Sequence, residues 1–446
     1  MKILFSLFAA ILLLSACNPP QASPRKTSLA ISTTQKPATF GTISITETIP
    51  PNQPATQSAQ IGQLIKSGQL SDLVMVDAEQ GWAILTDENQ VDRIIKTSDG
   101  GKSWQTVSPP LPQDESAPAP RSVTAFFLDA QHAWAAYRTF DPQDPLLPFS
   151  SVWRTQDGGQ SWQVSQAIET ERLAEFNDPL QFYFLDEQQG WLLTGHGAAA
   201  GTAPVSLYQT QDGGQTWKLR LEMLSPDSGS VNTCCTSGMV FLDSNTGLIT
   251  KSAGPDPIGQ INWSMDGGGS WLRQDIPLPT GYANLAYGGT ASPGVVAPDF
   301  FYFLGECLPA DDQNGDFIDL LYITHDLGAT WDIRILPGSP EPSPPLELDY
   351  QNKQIQFVDG QTGWYVISNI YSDEAGATKS GQTLIYALPQ VDSASKPLGQ
   401  FDWAGQVYFL DQKLGWATIA SDAPGGLAFT QDGGQTWVFI SPTLID

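Results

Sequence analysis

Thr210-Gln211-Asp212-Gly213-Gly214-Gln215-Thr216-Trp217 is the stretch on which the fold turns, because the chain repeats it. Further copies occupy residues 97–104, 155–162, 264–271, 324–331 and 430–437, all matching [ST]-x-D-x-G-x-[ST]-W. Their aspartates are Asp99, Asp157, Asp212, Asp266, Asp326 and Asp432; the closing tryptophans are Trp104, Trp162, Trp217, Trp271, Trp331 and Trp437. Successive aspartates lie 58, 55, 54, 60 and 106 residues apart, and the last interval is twice 53. One unit has lost its box, so seven units of about 55 residues are expected.

A second pattern precedes most boxes: an aliphatic residue, Asp, a three-residue spacer, then Gly-Trp or a variant. It runs from Val76-Asp77 to Gly81-Trp82, and recurs ending at Ala133-Trp134, Gly190-Trp191, Gly247-Leu248 and Gly415-Trp416. The boxless unit keeps it, as Val358-Asp359 to Gly363-Trp364, whereas the unit with the fifth box departs from it. Alternating stretches such as Phe182-Tyr183-Phe184-Leu185 flank these turns, so each unit reads as four short antiparallel strands. Four-stranded units repeated radially give an all-β, seven-bladed propeller, in which closure avoids long exposed edges.

The boxes resemble the Asp-box, or bacterial neuraminidase repeat, of sialidases, xyloglucanases and sortilin-type receptors. Together with the Gly-Trp turns they most resemble the propellers of the photosystem II stability and assembly factor family. The resemblance covers about 375 residues and is specific for fold, not for activity. It implies that each box joins the third and fourth strands of a blade. There a carboxylate accepts bonds from the turn's amides, Gly supplies positive φ, and Trp packs between blades with its N–H needing a partner. The six aspartates, one per blade, are thus structural; no catalytic residue is assigned.

If the first strand of each blade descends, Gly-Trp turns and boxes lie below. The long, blade-specific loops then lie above, among them 108–121, 140–150, 195–204, 275–279, 309–317 and 337–348. Variable loops on a rigid frame place binding on this upper rim and at the channel mouth.

Composition agrees with short strands: Gly and Pro are abundant (41 and 34), with 14 Trp and only 15% charged residues. Lys plus Arg is 21 against 47 acids, a net charge of −26, which repels phosphate backbones and excludes nucleic acid as a partner. Residues 1–16 read as a signal peptide, because the apolar run is too short to span a bilayer. Leu14-Ser15-Ala16-Cys17 resembles a lipobox, which implies lipidation of Cys17 and an envelope address outside the cytoplasm. Asn18 after the Cys resembles an outer-membrane address where the organism has two membranes. Residues 17–70 are then the lipidated Cys and a flexible Pro/Ser/Thr-rich linker, and 71–446 the propeller.

An exported protein meets an oxidising environment, and one disulfide is expected from Cys307 to Cys234 or Cys235. Asp312, Asn314, Asp316 and Asp319 gather oxygen ligands in one loop, a calcium candidate that departs from EF-hand spacing and lacks the closing Glu; a solvated acidic turn is the preferred reading, with no cofactor. A sialidase-like site would need three convergent arginines, and none of the nine lies in a Phe/Tyr-Arg-Ile/Val-Pro segment; Arg121, Arg138 and Arg172 fall on the upper side of blades two and three, where ordinary surface placement is the preferred reading. No metal-spaced histidines or nucleophile elbow appear. The expectation is a non-catalytic scaffold, anchored through Cys17 and engaging an envelope protein or complex at the upper face. The alternative is a carbohydrate-binding or sialidase-like hydrolytic surface protein.

Overall fold

The computed structural model describes residues 62–110, 122–138, 151–166, 168, 178–196, 205–222, 236–251, 259–279, 285–296, 298–309, 317–338, 347–372, 379–421 and 426–445. These form seven antiparallel sheets, each built around four strands in chain order from inside to outside, arranged as the blades of a β-propeller. The inner strands are Leu70–Met75, Ser122–Phe127, Asp178–Phe184, Thr236–Phe241, Leu285–Thr290 with Gly294–Val296, Glu347–Phe357 and Gly405–Phe409. Blade five has a split inner strand, both halves of which pair with Phe300–Pro309.

Blade-to-blade cohesion comes from the Gly-Trp turns. Gly has no Cβ to strike the preceding inner strand: a Cβ on Gly190 would come within 2.3 Å of the Phe184 ring. The adjoining Trp then stacks on the last inner-strand aromatic of the next blade: Trp134 on Phe184, Trp191 on Phe241 and Trp364 on Phe409, with centroids 3.6, 3.7 and 3.7 Å apart. Each indole N–H also donates into the next blade's box, to Gly213 O, Gly267 O and Gly433 O at 2.9, 3.0 and 2.9 Å. Trp416 of blade seven does the same to Gly100 O of blade one, at 3.1 Å, and so closes the ring.

Closure has a second part that sequence patterning does not reveal. After the last blade-seven strand, Val438–Ile440, the chain crosses to blade one, where Thr443–Leu444 pairs in parallel with the outer strand Ser103–Thr106. Gln63–Leu64, from the linker stretch of the sequence, adds antiparallel to Thr443–Leu444. Blade one therefore holds six strands, and residues from both ends of the propeller cover its outer edge.

Blade six breaks the repeat in two ways. Its third and fourth strands, Lys379–Leu388 and Gly399–Phe401, are joined by a longer turn around Asp392 instead of a box. Its first three strands have 11, 10 and 10 residues, against six in the inner strand of blade one. The extra residues carry the blade about 15 Å further toward the upper side.

Candidate functional site

The lower side is filled by the boxes, and all six share one geometry. In the third, the Thr210 hydroxyl donates to Asp212 Oδ1 (2.9 Å) and accepts from Gly214 N (2.8 Å) and Asp212 N (3.4 Å). Thr216 N and Oγ1 donate to Asp212 Oδ1 and Oδ2 at 2.9 and 2.7 Å. At Asp99, Asp212, Asp266 and Asp432 burial pushes the carboxyl up, but the hydrogen bonds together outweigh it and hold it below the usual range. At Asp157 and Asp326 the hydroxyl bonds from Ser161 and Thr330 lead the same downward shift. Each carboxylate is committed to its own turn, and the six are spread one per blade. The box tryptophans behave less uniformly than the Gly-Trp ones. Trp104, Trp271 and Trp437 donate to their own box, Trp162 reaches Val107 O of blade one, and Trp217 and Trp331 find no acceptor for the indole N–H among the described residues.

The upper side is where the blades differ, and the departure centres on the face of blade six turned toward blade five. Lys353, on its inner strand, donates to Asp319 Oδ1 at 2.7 Å and to Glu306 Oε1 at 3.1 Å, both on blade five. The Tyr365 hydroxyl donates to Asp319 Oδ2 at 2.9 Å. The Asp319 side chain is 1% exposed, Lys353 13% and Glu306 38%, so the cluster opens to solvent only through Glu306. Burial pushes the Asp319 carboxyl up and outweighs the ammonium beside it. Burial pulls Lys353 down, but its two carboxylates outweigh that and raise it, which keeps the ammonium charged.

Higher on the same face runs a chain of amides and a phenol. Gln351 Nε2 donates to Asn369 Oδ1 (3.0 Å), Asn369 Nδ2 to the Tyr371 oxygen (3.0 Å), and the Tyr371 hydroxyl to Gln382 Oε1 (3.3 Å). On the same strand Leu348 and Tyr350 are exposed, Tyr350 by 56%. A second feature is a cavity of about 320 Å³ in the central channel, lined by inner strands of blades one, two, six and seven.

Several sequence candidates fall elsewhere. Cys17, Cys234, Cys235, Asp312, Asn314, Asp316, Arg121 and Arg172 lie outside the described residues, as do most of the upper loops. Cys307 is fully buried on the second strand of blade five. Asp319, grouped with the calcium candidates, is held by Lys353 and Tyr365. Sequence reasoning missed Glu306, Lys353 and Tyr365, which are separated along the chain and sit in no repeated motif. The usable signal was the boxless unit itself, the one place where the repeat is not kept.

No protein-family model and no curated protein matches this chain. Among solved structures it is similar to a PL25 ulvan lyase, at 12% identity and a TM-score of 0.43, over 70% of this chain and 81% of that one. It is also similar to an ancestral GH74 enzyme, at 12% identity and a TM-score of 0.41, over 85% of this chain but 55% of that one. A third is the GH74 xyloglucanase from Xanthomonas campestris, at 13% and 0.35, over 86% of this chain and 68% of that one. The expectation of a non-catalytic protein scaffold is corrected: these neighbours are a polysaccharide lyase and GH74 enzymes, not scaffolds. At such identities and TM-scores the likeness speaks for the fold alone, and no activity or residue role is taken from it.

Proposed function

We propose that this chain is a carbohydrate-binding Asp-box propeller, tethered to a membrane through lipidated Cys17 and engaging glycans at the upper rim of blade six. Six boxes with one shared set of hydrogen bonds support its place among Asp-box propellers. The observation that carries the function is the wall of blade six. On one face of this tallest blade a chain of amides and a phenol runs from Gln351 through the buried Asn369 and Tyr371 to Gln382, beside Glu306 of blade five, and the opposite face of the inner strand carries the exposed Tyr350. Amides and carboxylates hydrogen-bond ring hydroxyls at fixed angles, and an aromatic face packs on the apolar side of a sugar ring. The net charge of −26 favours neutral glycans over uronates or sulfated chains.

Binding fits the geometry better than hydrolysis. Glycoside hydrolysis needs two carboxyl groups flanking the scissile bond. Asp319 is buried, and both of its oxygens are already engaged, so among the described residues of this cluster Glu306 has no second carboxylate beside it that can reach a substrate.

A glycan array followed by calorimetry on the full-length protein tests this reading. Micromolar to millimolar binding of a neutral oligosaccharide, weakened at least fivefold by Tyr350→Ala with no release of reducing sugar, is the expected result. Failure to bind any neutral glycan, or binding indifferent to Tyr350→Ala, refutes it.

A further inference from the structure

Inner-strand glutamines tie neighbouring blades of this propeller to each other. Gln181, three residues before the end of its strand, donates to Met239 O (3.0 Å) and accepts from Met239 N (2.8 Å) of the next blade. Gln356 does the same with Phe409 O and N, at 2.7 and 2.8 Å. Gln354, in the register position of Gln181, accepts from Val407 N at 3.0 Å.

Gln406 occupies that position in blade seven, and its neighbour across the closing seam is blade one. Here the tie is not made. The inner strand of blade one is irregular between Ser71 and Val74, and Asp72 lies in the left-handed region at φ 47°. A non-Gly residue there is strained by about 1 kcal/mol or more, although Asp tolerates it better than most. The consequence is a set of uncommitted polar groups. The Gln406 amide and the Asp72 carboxylate make no side-chain hydrogen bond among the described residues, and the Gln354 amide nitrogen is likewise unused. All three line the channel cavity of about 320 Å³, and one residue layer below them lie Phe126 and Tyr408.

Asp72 is open to the channel yet surrounded by protein. Burial first, and then the charge of Asp92, push its carboxyl upward. Asp92 itself is occupied, accepting from the Thr86 hydroxyl at 2.7 Å and from Val123 N at 3.1 Å. Only Asp72 of this pair is available to a ligand.

We infer that the channel cavity at the closing seam is a binding site for one uncharged sugar ring, with Asp72 accepting from vicinal hydroxyls, the Gln354 and Gln406 amides bonding its remaining oxygens, and Phe126 packing on its apolar face. The volume sits at the small end of ligand pockets and suits one ring, not an extended chain. Two carboxylates in the neighbourhood disfavour an anionic sugar. The inference rests on the carbohydrate reading and deepens it. Gln354 and Tyr350 lie on the same face of one strand, four residues and roughly 13 Å apart, so a glycan of a few units lying on Tyr350 could place its terminal ring in the cavity.

Saturation-transfer NMR and calorimetry on the full-length protein, with glucose, galactose, mannose and xylose, glucuronate and butylammonium as probes, test it. At least one neutral monosaccharide is expected to bind in the millimolar range, glucuronate at least tenfold more weakly. Asp72→Asn, which keeps the left-handed backbone, and Gln406→Ala should each weaken that sugar tenfold, whereas Tyr350→Ala should leave it unchanged. Circular dichroism of both channel variants confirms an intact ring. If oligosaccharides still bind through Tyr350 but no monosaccharide does, the cavity site is wrong and the rim reading stands. If butylammonium binds in place of every sugar, or Asp72→Asn has no effect in a folded protein, the inference is overturned.

Discussion

The lower and upper sides of this propeller spend the same residue types in opposite ways. Below, six aspartates sit in identical turns, and each closes its own hairpin with Ser or Thr hydroxyls and backbone amides. Above, one aspartate, Asp319, reaches across blades to a lysine and a tyrosine, and no other blade repeats the arrangement among the described residues. A carboxylate satisfied within eight residues marks the frame, whereas one satisfied by a partner 34 or 46 residues away marks what is particular to this chain.

The sharpest way to break that contrast is Lys353→Met. Removing the ammonium leaves Asp319 buried without its cation, and the expected loss is about 3–5 kcal/mol of unfolding free energy in urea. Adding Asp319→Asn should recover more than half of it. A single variant costing less than a box mutant would reverse the contrast.

Trp416→Phe comes next. It keeps most of the packing but loses the N–H bond to Gly100 O, and a cost of about 1–2 kcal/mol is expected by thermal denaturation. The matching Trp191→Phe change should cost about the same, because the closing seam uses the same staple as the interior of the ring. A much larger loss at Trp416 would show that closure is the weak point.

Asp212→Ala should cost roughly 1–2 kcal/mol, since two donors of the Thr216 side and the Thr210 hydroxyl lose their acceptor. Combined with Asp432→Ala, the effects should add within about 0.5 kcal/mol, because the boxes share no partner. Strong non-additivity would mean the boxes communicate around the ring.

The smallest effect is in pH. The box carboxyls titrate below their ordinary value of 3.8 in the fold, so their stabilisation is fully present above that pH and is lost as pH falls below it, through their lower folded values. Asp72 and Asp319 are raised, so their contribution has the opposite sign, fully present below 3.8 and lost as pH rises through their higher folded values. Melting temperature should be flat near neutrality and fall below pH 4. A fall beginning above pH 5 would show that the box carboxyls are not the groups held low.

The frame was legible because it is periodic. Six copies of a box and the Gly-Trp turn of the boxless unit give the blade count, the strand order and the lower side. The Trp ties were legible only in part: the sequence implies that the box tryptophan bridges blades, yet it is mainly Trp134, Trp191, Trp364 and Trp416 that do so. The candidate sites were not legible. Glu306, Lys353 and Tyr365 meet through blade packing, and Asp72 faces the channel because a strand irregularity turns its backbone, neither of which leaves a local pattern. Ring closure was hidden for a similar reason, since a two-residue strand has no periodicity to read.

The closing strand has a consequence for biosynthesis. Thr443 meets Lys102 across 341 residues, so blade one emerges from the ribosome long before its outer edge can be covered. At translation rates of about 5–20 residues per second that edge waits roughly 20–70 s, an interval in which a nascent sheet can pair with the wrong chain. Production of this protein therefore calls for a holdase that shields that edge until residues 443–444 arrive.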